Sequence, residues 1–235
     1  GDETVVDEGH GVAHRIPNVP KGEWNGHSET RWGEGFGEAK VGEWEPPEPV
    51  GAVRLRLFND HAVADLVGPN RCDLISDEER VAAESKLGPD PLDAGARSDE
   101  EAMERFARVA HAKKRSIGEI VMDQSIIAGV GNIYRADALF LAGISPHRKG
   151  ANISLKRLRE LWVLVCDLMN RGLAAGRLDT MDPDEAPNPP IEGDEEASRW
   201  YAYHRTDRPC LRCGTPIREA LMQNRRLFWC PSCQR

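Results

Sequence analysis

The 235-residue chain contains no apolar run approaching the roughly 18 residues needed to cross a bilayer, so no membrane span is expected. A secretory signal is not visible either. Gly1 is followed by Asp2 and Glu3, not by a basic stretch and an apolar core, which makes the cytoplasm the expected compartment. Self-similarity at any fixed period is missing too, and this argues against repeat architectures. Residues 1–49, rich in Gly, Glu and Trp and closing on Glu45-Pro46-Pro47-Glu48-Pro49, show neither a helical nor a sustained strand period. No fold can be read there.

Positive charge is also in deficit, with 31 Lys and Arg against 39 Asp and Glu, for a net charge of -8. That sum argues against a nucleic-acid partner, but the charge is segregated along the chain. Residues 1–110 carry 12 basic and 24 acidic side chains, and 111–177 carry 11 against 5. Residues 178–200 return to 1 against 8, whereas 201–235 hold 7 against 2. Two basic islands therefore lie in an acidic protein. A basic island is more often a solvated surface than a phosphate tracker, so it acquires meaning only beside a motif.

At 26.1 kDa the chain is large enough for two compact units. From Val50 the pattern sharpens. Val53, Leu55 and Leu57 alternate with Arg54 and Arg56, and Ala62–Leu66 follows across Asn59-Asp60, which predicts a hairpin of half-buried strands. The proline-punctuated Leu87-Gly88-Pro89-Asp90-Pro91-Leu92 marks a handover from sheet to helices, with a boundary expected near residue 95. Ser98 with Glu101 reads as a capping box for a helix over about 99–112. Further helices are expected over 116–124, from Asn132 to the Gly143 stop, and from Ser154 to the Gly176 stop. Residues 182–198, with four prolines and seven acids, fit a mobile linker or loop. Trp200-Tyr201-Ala202-Tyr203 reads as an extended segment.

Four of the six cysteines form two CxxC pairs, Cys210/Cys213 and Cys230/Cys233, with 16 residues between the pairs. Disulfides are the competing reading, but two such pairs in a cytosolic chain favour metal. Four thiolates in two knuckles match the closed tetrahedral shell of one structural Zn2+. Cys72 and Cys166 stand alone and read as core thiols. Between the knuckles, residues 214–217 and 227–229 look like two strands, with Asn224-Arg225-Arg226 at the connecting tip. A second candidate anion site is Gly129-Val130-Gly131-Asn132, where glycines allow a tight turn and a helix N-terminus offers free N–H groups. Asn132 is either a phosphate ligand or simply an N-cap, and Lys113-Lys114-Arg115 lies close by in sequence.

The segment Met122-Asp-Gln-Ser-Ile-Ile-Ala-Gly-Val-Gly-Asn-Ile-Tyr134 strongly resembles the helix-two-turns-helix motif of formamidopyrimidine-DNA glycosylases and endonuclease VIII enzymes. The Leu87–Leu92 run and the closing Cys-x2-Cys-Gly-Thr-Pro-Ile…Phe-Trp-Cys-Pro-Ser-Cys-Gln-Arg also look like that family, so the resemblance covers roughly residues 50–235. Phe228-Trp229 leans toward an actinobacterial endonuclease VIII-like branch. The fold implied is α+β. Residues 1–95 form an N-terminal β-rich unit of catalytic type, 96–180 a helix-two-turns-helix unit, 181–199 an acidic linker or loop, and 200–235 a zinc hairpin.

The resemblance implies a base-excision-repair glycosylase with abasic-site lyase activity. Such an enzyme flips an oxidised base out of duplex DNA, cleaves its glycosidic bond through a Schiff base and nicks the strand. Damaged double-stranded DNA, bound in a cleft between the units, is then the partner of a bacterial, nucleoid-associated monomer. Asn132, with Gly131, and Lys114 match positions that hold backbone phosphates. Arg225 matches the zinc-finger arginine that grips a phosphate and donates a proton in the elimination, and Arg226 is an auxiliary contact. Family members supply the amine nucleophile and the acid from a terminus beginning Pro-Glu, and no N-terminal proline is found in this chain. The nearest trace is Glu8-Gly9-His10, with Glu8 in place of the acid, while Lys21 and Lys40 match no family lysine. Three readings of residues 1–49 follow: altered chemistry, an inactive relative that binds damaged DNA, or a misassigned start.

Overall fold

The computed structural model describes residues 12–16, 45–59, 62–69 and 72–235. The chain divides into two compact units, Gly1–Glu79 and Arg80–Arg235. The first is built on a three-stranded antiparallel sheet of β1 (Val12–Ile16), β2 (Val53–Phe58) and β3 (Val63–Val67), in the order β1-β3-β2. The β2–β3 connection is tightened by Asn59, whose N–H donates to the Ala62 carbonyl at 3.0 Å while its Oδ1 accepts from the Ala62 N–H at 2.8 Å.

The hairpin is present as the sequence predicts, but its simple alternation is not. The register shifts between Val53 and Leu55, turning Leu55 outward and Arg56 partly inward. Arg56 meets its cross-strand partner Asp65 through a two-pronged ion pair, Nε–Oδ1 2.6 Å and Nη2–Oδ2 2.7 Å. The guanidinium holds the carboxyl of this buried aspartate below its ordinary pKa.

α1 (Asp77–Glu84) crosses the division between the units. The second unit continues with α2 (Glu100–His111), α3 (Ile117–Ile120), α4 (Asn132–Leu141) and α5 (Leu155–Ala175), and ends in the hairpin β4 (Arg218–Met222) and β5 (Arg225–Trp229). Phe106 of α2, Ile117 and Ile120 of α3, Tyr134 and Leu139 of α4, and Leu158, Trp162 and Val165 of α5 share one core. Trp162 lies wholly inside it and satisfies its indole N–H on the Ala96 carbonyl at 3.0 Å.

Helix starts show how local chemistry decides the boundaries. Asp99, not Ser98, caps α2, because its carboxylate accepts from the Glu101 and Ala102 N–H groups at 2.9 and 3.1 Å. Ser98 instead turns its hydroxyl back to the Gly95 carbonyl. The expected helix over 116–124 stops after Ile120, since Asp123 folds its carboxylate onto the Ser125 N–H and hydroxyl and takes an ion pair from Arg115. α5 begins at the Ser154 cap and ends at Gly176, which is left-handed at φ 64°.

The turn between α3 and α4 is backed by the Leu87–Leu92 run: the Gly88 N–H donates to the Gln124 carbonyl at 2.8 Å, and the Ala128 N–H to the Pro89 carbonyl at 3.1 Å. A Cβ on Gly88 would lie 2.3 Å from the Ile126 carbonyl carbon, so only glycine fits. Cys166 is buried as expected and its thiol is pushed up to about 12 by burial, whereas Cys72 is exposed in the irregular segment before α1.

Trp200–Tyr203 is not extended. The chain bends there because the Tyr201, Ala202 and Tyr203 N–H groups converge on the fully buried Asp137 carboxylate of α4, at 2.8, 2.9 and 3.1 Å. Thr180 adds its hydroxyl to the same carboxylate. The acidic loop is pinned as well, through a buried Asp194–Arg205 ion pair at 2.7 Å.

Asp137→Ala strands three backbone donors and a hydroxyl, and should cost at least about 3 kcal/mol of stability. Urea denaturation of the variant against the parent measures it, and a loss below about 1 kcal/mol would contradict this account of the bend.

Candidate functional site

Gly129, left-handed at φ 76°, turns the chain into α4, and Gly131 stands at the N-cap position. Asn132 is therefore the first helical residue and not the cap. Gln124 braces the turn by accepting from the Gly129 N–H and donating to the Val130 carbonyl. Asn132 reaches across 94 residues, its Nδ2 donating to the Arg226 carbonyl at 2.8 Å. Arg135, one turn further along α4, donates from Nη2 to that same carbonyl at 2.9 Å and to the Asn132 Oδ1.

Arg135 was not singled out from sequence, yet it is the most unusual group in the site. It is 1% exposed, and its Nε and Nη1 have no hydrogen-bond partner among the described residues. Burial, with the nearby Arg225 charge adding to it, lowers its guanidinium to about 10. A desolvated cation with two unused donors, beside a second cation and the free N–H groups of a helix start, constitutes a site for an anion. The only signal available in the sequence was position: Asn132 and Arg135 are three residues apart and so share a helix face.

The connecting tip is Gln223-Asn224, with φ of 52° and 59°; the first strand is Arg218–Met222, wholly after the expected 214–217, and the second starts at Arg225, two residues before the expected 227. Arg225 and Arg226 consequently lie in β5, where alternation sends their side chains to opposite faces. Arg225 is exposed at the strand start, opposite Met222. Arg226 grips Glu219 with both arms, Nε–Oε1 2.6 Å and Nη2–Oε2 2.8 Å, and lies 4.9 Å over the Phe228 ring. Arg226 first, then the Thr206 hydroxyl, hold the Glu219 carboxyl down to about 2. The site thus uses the Arg226 carbonyl, while its side chain is engaged elsewhere.

Lys114 is exposed in the loop between α2 and α3 and, among the described residues, makes no hydrogen bond or ion pair with the Asn132 group. Glu8, Lys21 and Lys40 lie outside the described residues.

The four cysteines come together with all Sγ atoms within 4.8 Å of one another. Cys210–Cys233 is 3.8 Å and Cys213–Cys230 is 3.5 Å. A tetrahedral ion with bonds of about 2.3 Å requires sulfur separations of about 3.8 Å, so the donor set fits a closed four-thiolate shell. Hydrogen bonds from the Thr215 side chain and backbone bring the Cys213 thiol down to about 6, and the Cys233 N–H donates to Cys230 Sγ at 3.4 Å. The Cys213 shift favours thiolate at neutral pH, whereas burial raises the Cys210 and Cys233 thiols.

The chain is similar to several known proteins. The family model described as the formamidopyrimidine-DNA glycosylase H2TH domain matches residues 87–183. Endonuclease 8 1 of Mycobacterium tuberculosis is 39% identical over 188 residues, which cover 80% of this chain and 68% of that protein. A formamidopyrimidine-DNA glycosylase of Xanthomonas oryzae is 34% identical over 152 residues, covering 63% of this chain and 52% of its own length. Among solved structures, the MutM (Fpg) protein of Thermus thermophilus aligns with a TM-score of 0.59 at 26% identity, over 80% of this chain and 70% of that one. MutM in complex with DNA containing carbocyclic 8-oxo-G aligns with a TM-score of 0.62 at 21% identity, over 81% and 68%, and shows the same fold. The chain belongs to the formamidopyrimidine-DNA glycosylase and endonuclease VIII family.

Proposed function

We propose that the chain is a base-excision-repair DNA glycosylase with abasic-site lyase activity, acting on oxidised bases in damaged duplex DNA in the bacterial cytoplasm. The observation that carries the reading is the anion site, where the N-terminus of α4, Asn132 and the buried Arg135 meet β5 and its Arg225. A backbone phosphate next to the lesion supplies the anion. We assign to Arg225 the grip on that phosphate and, in the elimination, the donation of a proton, on its charge felt at Arg135 and its position in β5. Lys114 adds charge on the flank. The reading needs one chain only, since every group of the site comes from it. The binding-only alternative draws no support from the relatives, which are named as enzymes.

Zn2+ is the ion we assign to the four cysteines, on the donor set and the sulfur separations. A closed shell leaves no position for water or substrate, so the ion supplies rigidity and not chemistry.

Metal analysis of the purified protein should give one zinc per chain. Stripping it under strong chelation should unfold residues 200–235 and abolish DNA binding while the helices persist by far-UV circular dichroism. Retained binding without metal would contradict the assignment.

Borohydride trapping on a duplex with an abasic site tests for the amine nucleophile that the described residues do not supply: a covalent protein–DNA adduct marks a Schiff base reduced in place and upholds the lyase reading. A chain that binds the duplex and leaves no adduct is not a lyase.

Affinity should fall steeply with salt, and Arg135→Gln should weaken binding by at least about tenfold, largely independently of base sequence. Unchanged affinity would remove the buried guanidinium from the phosphate site.

A further inference from the structure

The hairpin bearing Arg225 is held against the helices at both ends. At its base the Trp229 ring meets His147 edge-on, with centroids 4.9 Å apart. At its tip the contact is Met222. Its Sδ lies 3.8 Å from Ser116 Oγ, and a Cβ built on Gly118 of α3 would come within 2.9 Å of it. Gly118 is buried and its N–H donates to the Pro146 carbonyl at 2.9 Å, so the slot that receives the thioether has a fixed floor. The neighbouring Leu221, on the opposite face of β4, is 76% exposed. Met222 alone of that pair is committed to the helices.

Met222 is also the direct cross-strand partner of Arg225. Directly opposed residues of an antiparallel pair project to one face with Cβ atoms about 5 Å apart. They flank a two-residue turn whose positions, Gln223 and Asn224, both have positive φ and are exposed. Both turn residues are exposed, so on the turn side of Arg225 the nearest residue seated against α3 is Met222, while on its other side the Arg226 carbonyl is held by Asn132 and Arg135. The same contact sets the Arg225 strand beside Ser116, directly after Lys113-Lys114-Arg115.

We propose that Met222, seated in the slot over Gly118, is a positioning residue for Arg225, holding its guanidinium at the anion site beside Arg135. The proposal rests on the phosphate-binding reading of Arg225. Methionine suits the task because its unbranched, polarisable side chain fills a narrow slot without demanding a hydrogen bond.

The test is a double-mutant cycle for binding to a duplex carrying a tetrahydrofuran abasic analogue, measured across a salt series. Arg225→Ala should weaken binding about tenfold and reduce the salt slope by about one. Met222→Ala should do nearly the same, and the double variant should be no weaker than Arg225→Ala alone. Met222→Leu, of similar volume, should recover most of the affinity, and Gly118→Ala, which fills the slot from the other side, should reproduce Met222→Ala. An unchanged Met222→Ala, or losses that add in the double variant, would overturn the latch while leaving the role of Arg225 intact. An unchanged Arg225→Ala would overturn the phosphate reading itself. Zinc content and thermal denaturation accompany each variant, and if Met222→Ala loses its metal, the shorter cut Met222→Val takes its place in the cycle with the same two outcomes.

Discussion

One backbone carbonyl, that of Arg226, accepts from both Asn132 and Arg135 and thereby joins the first turn of α4 to β5. Further along α4 lie Asp137 and Phe140. Asp137 gathers the 201–203 N–H groups, and Phe140 stacks on Tyr201 with centroids 5.4 Å apart. Every turn of α4 therefore holds part of the four-cysteine region. The four clustered cysteines draw the knuckles together, whereas α4 decides where β5 lies relative to the helix start. Neither suffices alone, because an anion site made of a helix N-terminus and a strand arginine works only while the two stay in register.

The division between what the sequence reveals and what it hides follows the range of the interactions. The CxxC pairs, the Gly129–Asn132 turn, the Ser154 cap and the Gly176 stop are local, so each is readable from a few neighbouring residues. The bend at 200–203 is not, because its cause is an aspartate 64 residues away. Arg135 escapes notice for the same reason: in sequence it is one arginine on a helix, and only burial against the Arg226 carbonyl makes it exceptional. The hairpin tip was misplaced because Gln223 and Asn224 adopt left-handed φ without a glycine to announce it. In β2, alternation alone could not reveal the shift that brings Arg56 to Asp65.

The remaining puzzle is how a chain with a net charge of -8 builds a site for an anion. The answer lies in where the carboxylates are engaged. Asp179 takes Arg177 and Arg199, Asp194 takes Arg205, Glu185 takes Arg212, and Glu219 takes Arg226. These pairs neutralise one another over short distances, and beyond a Debye length of about 10 Å their fields are largely screened. Among the described residues Arg135 has no carboxylate partner, and its charge is desolvated where theirs are mostly wet. A cation buried without a counter-ion is costly in the free protein and strongly attractive to an anion that reaches it, because the low local dielectric that imposes the cost also amplifies the reward. On the proposed reading, local burial and not net charge selects the partner, and the acidic surplus elsewhere disfavours polyanions that do not reach Arg135.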